Sequence, residues 1–582
     1  MNLRDLLTLS RKRFNLPKKN AVNKVINSFT HAERTIFFVS AVLFVMSGFA
    51  LSAEVSSAFL EKIPTEGGTL VEGVVGNPRF INPILALSEA DKNLSALVYS
   101  GLMRLDENGK IVPDLSEIVT LSPDKLSYTV TIKEGARFHD GTPVLADDVV
   151  FTISKISDSL IKSPRKGNWD GVSIEKLDEK TVVFRLNKPY APIIYNLTTG
   201  INPKHIWKNV TADEFAFSQF NTLPIGSGPY KVRRVERDSG GIPDYYELEP
   251  SSADTGKAFI KNFIFRFYSS EDELVDAYRR GEVESVSGFS PEMLEDADRE
   301  GVRVIETPLP RVFALFFNQT KSQVLRDRSV REALSLTAPK ERIVEEVFQG
   351  FASAISGPLP AGLYSWTTAT DSRTLEEKMS DAKGILSKAG WKEGVDGILE
   401  KKSKDETIRL SFSISTGDAS ELRKTAELLA AAWRPLGVEV KILSFETGEL
   451  NQSVIRPRQF EALLFGELVG RDRDLYSFWH SSQRNDPGLN IALYANSKAD
   501  KFMEEARGAS SLEEAETVIK ALNDEIVRDI PAIFLYTPNF LYLLPEKVKA
   551  AEVSVLVASH ERFSTIRDWY IETDKVWKIF LD

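Results

Sequence analysis

The stretch Ser127–Ile156, SYTVTIKEGARFHDGTPVLADDVVFTISKI, sets strand, turn and helix signals in a fixed order. Tyr128, Val130 and Ile132 alternate with Thr129, Thr131 and Lys133, the period of two of a half-buried strand. Gly135 and the run His139, Asp140, Gly141, Thr142, Pro143 then reverse the chain, because glycine supplies positive φ, proline a fixed φ and aspartate local side-chain hydrogen bonds. Beyond the turn the period lengthens. Leu145, Val149, Ile153 and Ile156 recur at helical spacing, and Asp147 and Asp148 sit in the first turn, where carboxylates suit the positive end of the helix dipole.

Phe138–Pro143, reading F-H-D-G-x-P, followed by Ala146–Phe151, reading A-x-D-V-x-F, resembles the signature of solute-binding protein family 5, the extracytoplasmic peptide and nickel receptors of bacterial ABC importers. One residue departs from it. Where relatives place a Ser or Thr cap, Leu145 cannot accept the orphan backbone hydrogen bonds, which predicts a looser or water-capped helix start.

Further landmarks of that resemblance follow in order: Gly67-Gly68-Thr69-Leu70, Asn82-Pro83, the Tyr99-Ser100-Gly101-Leu102 stretch, Pro203-Lys204-His205 and Gly226-Ser227-Gly228-Pro229-Tyr230. A Gly-x-Gly-Pro turn entering a strand lets backbones approach closely, while the proline forbids the helix N-terminus that a phosphate loop requires. Phe317-Asn318 and Asp327–Leu334 resemble the opening of the family's second lobe. Three apolar helical stripes are expected in the core: Leu375, Met379, Ala382 and Leu386; Leu422, Ala426, Leu429 and Trp433; and Ala515, Val518, Leu522 and Ile526, the last opened by a capping box at Ser511 and Glu514. Strands are expected at Thr181–Leu186, Glu439–Leu443 and Ala532–Tyr536.

The resemblance implies an α/β, two-lobed periplasmic-binding-protein clamshell of type II, the large peptide-binding class, with an inserted subdomain and one N-terminal transmembrane helix. Lobe I is expected from 65–98, 200–310 and 536–582, the inserted subdomain from 99–199, and lobe II from 311–535. Ligand is expected between the lobes, a common place for binding crevices.

Composition agrees with a large folded receptor: of 582 residues, 42% are hydrophobic and 27% charged. Before Thr35 eight basic residues face two acidic ones, so from a net charge of −10 the rest of the chain carries −16. An acidic body argues against nucleic acid as a partner, since phosphate binding needs a basic surface. Thr35–Ala53 is 19 residues without a charge. As a helix at about 1.5 Å per residue it would reach roughly 28 Å, the thickness of a bilayer core. Residues 1–34 are therefore expected to be a basic cytoplasmic segment, 35–53 an uncleaved signal anchor and 54–64 a linker, with the rest of the chain extracytoplasmic. Gly48-Phe49-Ala50 and Ala50-Leu51-Ser52 remain alternative cleavage sites. The chain has no cysteine, which closes the lipid-on-cysteine route by which many such receptors are anchored and removes disulfides and thiolate metal sites.

In peptide-binding members an aspartate in an aromatic loop of the second lobe pairs with the ligand's amino terminus. The corresponding loop here is Gly466–Trp479, in which Leu475 replaces the usual proline and arginines flank both aspartates. Asp472 or Asp474 is a candidate for an ammonium group, Arg471 or Arg473 for a carboxylate, and Tyr476, Trp479, His480, Phe317 and Asn318 for other ligand contacts. The alternative is a self-paired, solvated charge cluster. No cofactor or metal is expected: the five histidines are scattered without zinc spacing, and no Gly-x-Ser-x-Gly elbow occurs. The expected function is capture of oligopeptides or similar solutes by a monomer, and their delivery to ABC permease subunits. A membrane-anchored stand-alone receptor or sensor with the same fold, and a membrane-tethered hydrolase, are the competing readings. Neighbouring permease and ATPase genes would separate import from sensing.

Overall fold

A computed structural model describes residues 26–58, 60–252, 258–289, 291, 301–360, 372–403, 406–470, 473–509, 512–553 and 556–577. The chain divides into two units, 1–65 with 573–582, and 66–572. Among its described residues the first holds the helix His31–Ala58 and a two-stranded sheet of Leu60–Thr65 with Glu572–Trp577. Thr30 and Glu33 cap that helix: the Glu33 carboxylate accepts from the Thr30 N–H at 2.9 Å. Apolar side chains stand exposed along it, Ile36 at 65% and Phe44 at 81% among them. Among the described residues no helix is long and apolar enough to cross a membrane.

The second unit is built on a twelve-stranded mixed sheet. Its organising element is the 14-residue strand Ala532–Pro545. The first part of this strand pairs antiparallel with Arg311–Phe317, Ile533 opposite Leu315, and the second part with Val302–Pro308, Leu541 opposite Glu306. The strand expected to stop at Tyr536 thus runs nine residues further, because its second half finds a new partner. It reads as an almost unbroken apolar run because it is covered on both faces.

On one side of this strand the sheet continues through Arg311–Phe317, Ala462–Leu468, Ser411–Gly417 and Glu439–Phe445. Strand alternation sorts Arg311–Phe317 between two cores: Leu315 and Phe317 face a core around Trp433, while Val312, Ala314 and Phe316 face one around Trp479. On the other side run Ser285–Ser287, Gly67–Val75, Ile260–Tyr268, Pro243–Pro250 and Tyr230–Arg237, over a core containing Phe263, Phe265, Tyr542 and Trp569.

A separate four-stranded sheet, ordered Ser116–Leu121, Ser127–Ile132, Thr181–Leu186, Val172–Lys176, carries the strand at the start of the Ser127–Ile156 stretch. Val130 lies opposite both Val119 and Val182, and the helix Ala146–Ser157 buries Ala146, Val149, Ile153 and Ile156 against the sheet. Gly141 adopts φ +87 in the turn. The start of that helix differs from expectation. Leu145 supplies no cap, but the Asp148 carboxylate reaches back to accept from the Leu145 N–H at 2.9 Å and from the Lys204 N–H at 2.8 Å. Half of a capping box therefore holds the turn from inside the helix.

The Gly226–Tyr230 turn behaves as its sequence implies: a Cβ on Gly226 would lie 2.0 Å from the Val98 carbonyl oxygen. The three expected helices form as Leu375–Lys388, Ser420–Trp433 and Leu512–Asp529. Ala382, Leu386, Ala426, Leu429, Trp433, Ala515, Leu522 and Ile526 of their stripes are buried, Met379, Leu422 and Val518 are half-buried, and Leu375 is 65% exposed beside the Thr374–Glu377 capping box. Ser511, the proposed cap of the third, lies outside the described residues.

Candidate ligand cleft

Two hollows open on the second unit. One, of about 1020 Å³, lies between the loops carrying Asn168, Asp170, Lys188 and Tyr190 and the surface carrying Tyr476 and Arg507. The second, of about 630 Å³, lies beside the lobe-connecting strand and is lined by Arg311, Phe348, Phe351, Asn539 and Phe540. Leu468, half exposed at the end of its strand, forms part of both walls.

The lobe II wall is built from a short loop and a helix end. Tyr476–Trp479 makes a single helical turn, whose first N–H donates to Asp474 at 3.1 Å. That turn sends its aromatic residues in opposite directions. Trp479 is fully buried against Phe316, Tyr494 and Phe534, whereas Tyr476 lines the cleft with its ring stacked on His480 at 4.0 Å. Arg507, in the last turn of helix Ser497–Arg507, lays its guanidinium over Tyr476 at 3.8 Å. Its Nε and Nη2 donate to the same Asp474 oxygen at 2.8 and 2.6 Å. The result is a layered cluster of carboxylate, guanidinium, phenol and imidazole.

This geometry sorts the residues singled out from sequence. Asp474 and Tyr476 are brought to the cleft together, but Asp474 already accepts from Arg507 and from a backbone N–H. Its partner, Arg507, lies outside the loop. Arg473 pairs with Glu516 at 3.5 Å. Arg471 and Asp472 lie outside the described residues. His480 is 7% exposed behind Tyr476, and its Nδ1 accepts from the Ser482 N–H at 3.1 Å. Trp479, Phe317 and Asn318 are placed in lobe packing and not on the cleft wall. Asn318 closes a turn, its Oδ1 accepting from the Thr320 and Lys321 N–H groups and its Nδ2 donating to the Arg458 carbonyl.

Just behind Leu468, Glu467 is buried with both carboxylate oxygens unpaired, and burial pushes its pKa well up. The Trp479 N–H lies close enough to oppose that shift but not in hydrogen-bonding geometry. Sequence reasoning did not find Asn168, Asp170, Lys188, Tyr190, Arg311 or Arg507. The one local signal among them is the Pro189-Tyr190-Ala191-Pro192 loop, in which an aromatic residue is held between prolines.

Residues 110–487 match the family described as Bacterial extracellular solute-binding proteins, family 5 Middle. This chain belongs to that family. Family 5 is a family of solute-binding proteins rather than of enzymes. The chain is 28% identical over 497 residues to the oligopeptide-binding protein AppA of Bacillus subtilis, covering 84% of this chain and 89% of AppA. The AppA structure in complex with a nonapeptide aligns with a TM-score of 0.64 at 27% identity, over 88% of this chain and all of that one. The structure of NikZ from Campylobacter jejuni in complex with Ni(L-His) aligns at 0.66 and 26% identity, over 86% and 99% of the two chains. The open, unliganded periplasmic murein tripeptide-binding protein MppA, at 20% identity and a TM-score of 0.72 over 88% and 99%, shares the periplasmic-binding-protein fold.

Proposed function

We propose that this family 5 chain captures oligopeptides in the inter-lobe cleft and hands them to the permease subunits of an ABC importer. The observation that carries this reading is the size and shape of the cleft. A hollow of about 1020 Å³, with a second of about 630 Å³ that shares Leu468 in its wall, suits an extended ligand better than a single ion. Its walls mix aromatic and apolar surface with charged groups at separated points. Such a lining holds a peptide main chain while tolerating varied side chains. The nonapeptide complex of AppA supports the same class of ligand.

Native mass spectrometry of the full-length protein, released from detergent without refolding, tests this directly. A family of co-purified peptides is expected, and a single metal chelate or another non-peptide solute would sink the reading. We also infer that the segment around Thr35–Ala53 anchors the protein with residues beyond it outside the membrane. The uncharged run, the basic segment before it and the exposed apolar side chains of helix His31–Ala58 support this. Protease added to intact spheroplasts should then digest the ectodomain, and alkaline washing should leave the protein in the membrane; release by the wash would overturn the anchor.

A further inference from the structure

A smaller cavity of about 150 Å³ opens on the seam between the inserted subdomain and the lobe beneath it, apart from the ligand cleft. Helix Glu89–Val98 forms one wall with Lys92 and Ser95 and leads into Tyr99. The turn carrying His560 and the nearby Arg567 form the opposite wall, and Arg104 and Arg165 complete the lining.

Three buried polar atoms along these walls have no hydrogen-bond partner: the Ser95 hydroxyl, the Tyr99 hydroxyl and Nδ1 of His560. Ser95 and Tyr99 are only 8% and 5% exposed. Buried polar groups in folded proteins are otherwise paired almost without exception. Each of the two hydroxyls is a donor in search of an acceptor.

The charges around the cavity point the same way. Of the acids nearby, Glu89 pairs with Lys92 at 3.5 Å, Asp114 accepts from Arg567 at 3.1 Å and Glu561 accepts from the Val557 N–H at 2.8 Å. Arg165 donates Nε to the Pro83 carbonyl at 3.0 Å, and Arg104 donates Nη1 to the Leu105 carbonyl at 3.2 Å. Each of these guanidiniums has five N–H donors, so most of that capacity is left over. Burial, followed by Arg165, Lys92 and Arg562, draws the His560 pKa down to about 3, so its ring is neutral at physiological pH and able to present an N–H at Nδ1.

We propose that this seam cavity binds a small tetrahedral oxyanion of the phosphate or sulfate type, held by Arg165, Arg104 and Lys92 and completed by the Tyr99 and Ser95 hydroxyls. Liquid water occupies about 30 Å³ per molecule, so the cavity has room for roughly five waters, ample for such an ion. Donors converging from several directions fit a tetrahedral acceptor, and guanidinium forks match its oxygens in pairs.

The test uses the full-length protein in detergent, dialysed into buffer free of phosphate and sulfate. Inorganic phosphate, sulfate, acetate and chloride are titrated separately by calorimetry, with the His560 ring followed by NMR. Saturable binding of phosphate or sulfate that moves the His560 signals is expected. Tyr99→Phe and Ser95→Ala each remove an unpaired donor and should keep the anion-free melting temperature while weakening phosphate binding about tenfold. Heat from acetate or chloride matching that from phosphate would overturn the assigned class. Absence of binding, with the unpaired groups served by water alone, would overturn the site, as would phosphate binding that neither variant changes.

Discussion

Arg562 and Glu72, beneath one half of the large sheet, are both fully buried, whereas Arg507 and Asp474 on the cleft wall keep 34% and 12% of their side-chain surface. Both pairs join a guanidinium to a carboxylate, yet the surroundings give them different work. Glu72 also accepts from the Tyr542 hydroxyl at 2.9 Å, and Arg562 donates to Asn93 at 3.0 Å and to the Ser559 carbonyl at 2.6 Å while lying 4.1 Å over the Phe563 ring. That network ties strand Gly67–Val75 to the lobe-connecting strand and to the C-terminal turn. Arg507 spends two donors on Asp474 and keeps an exposed edge toward the cleft. The buried pair is served by its neighbours, with only Nε of the Arg562 guanidinium left without a partner. A half-exposed pair can afford to leave donors for a ligand.

The contrast is most easily broken at Arg562. Arg562→Met strands Glu72 in the core and should cost about 3 to 5 kcal/mol of stability, read from denaturant midpoints. Replacing both partners with apolar residues, Glu72→Leu with Arg562→Met, should recover much of that loss. A single variant costing under about 1 kcal/mol would show that the network is not closed to water.

Glu467 shows what a buried carboxylate does without an arginine. Its folded-state pKa is raised above the ordinary value of 4.5. As pH climbs past that value the unfolded chain ionises while the folded chain keeps its proton, so stability should fall by up to about 1.4 kcal/mol per pH unit until the folded pKa is reached. Unfolding curves for Glu467→Gln should lack this contribution as pH rises above 4.5. An unchanged slope would mean that the carboxylate is hydrated.

Asp148 lies between the two cases. Burial raises its pKa while the backbone N–H groups of Leu145 and Lys204 pull the other way. Because it stands in for the missing cap, Asp148→Ala should cost about 1 to 2 kcal/mol, and circular dichroism with chemical denaturation should show it.

The smallest effect on stability is expected on the cleft wall. Asp474→Asn should change folding free energy by no more than about 1 kcal/mol, since Arg507 is one-third exposed. By freeing the guanidinium it should alter nonapeptide affinity about tenfold in calorimetry, which is about 1.4 kcal/mol. Native affinity in that variant would remove the cluster from the binding surface.

Much of the fold was legible along the chain. The alternation at Ser127–Ile132, the turn at Gly141 and the helix beyond it form where their residues place them, because these depend on neighbours a few positions away. Leu145 makes no cap, as its side chain implies, but the role of Asp148 was not legible because its second partner is the distant Lys204. The site was less legible. Tyr476 and Trp479 are three residues apart in one loop, and composition cannot say that the first faces the cleft and the second the core. Strand Ala532–Pro545 looked shorter than it is because nothing local shows that it exchanges partners.

Periodicity, glycine and proline positions and the order of motifs in the sequence were enough to establish local structure and family, since each follows from steric and solvation preferences over a few residues. Only the tertiary structure decided which charges meet. Glu72 finds Arg562 across 490 positions and Asp474 finds Arg507 across 33. A residue's type fixes the charge it carries, but its partner, its access to water and its freedom to bind a ligand are set by where the packed strands and helices bring it.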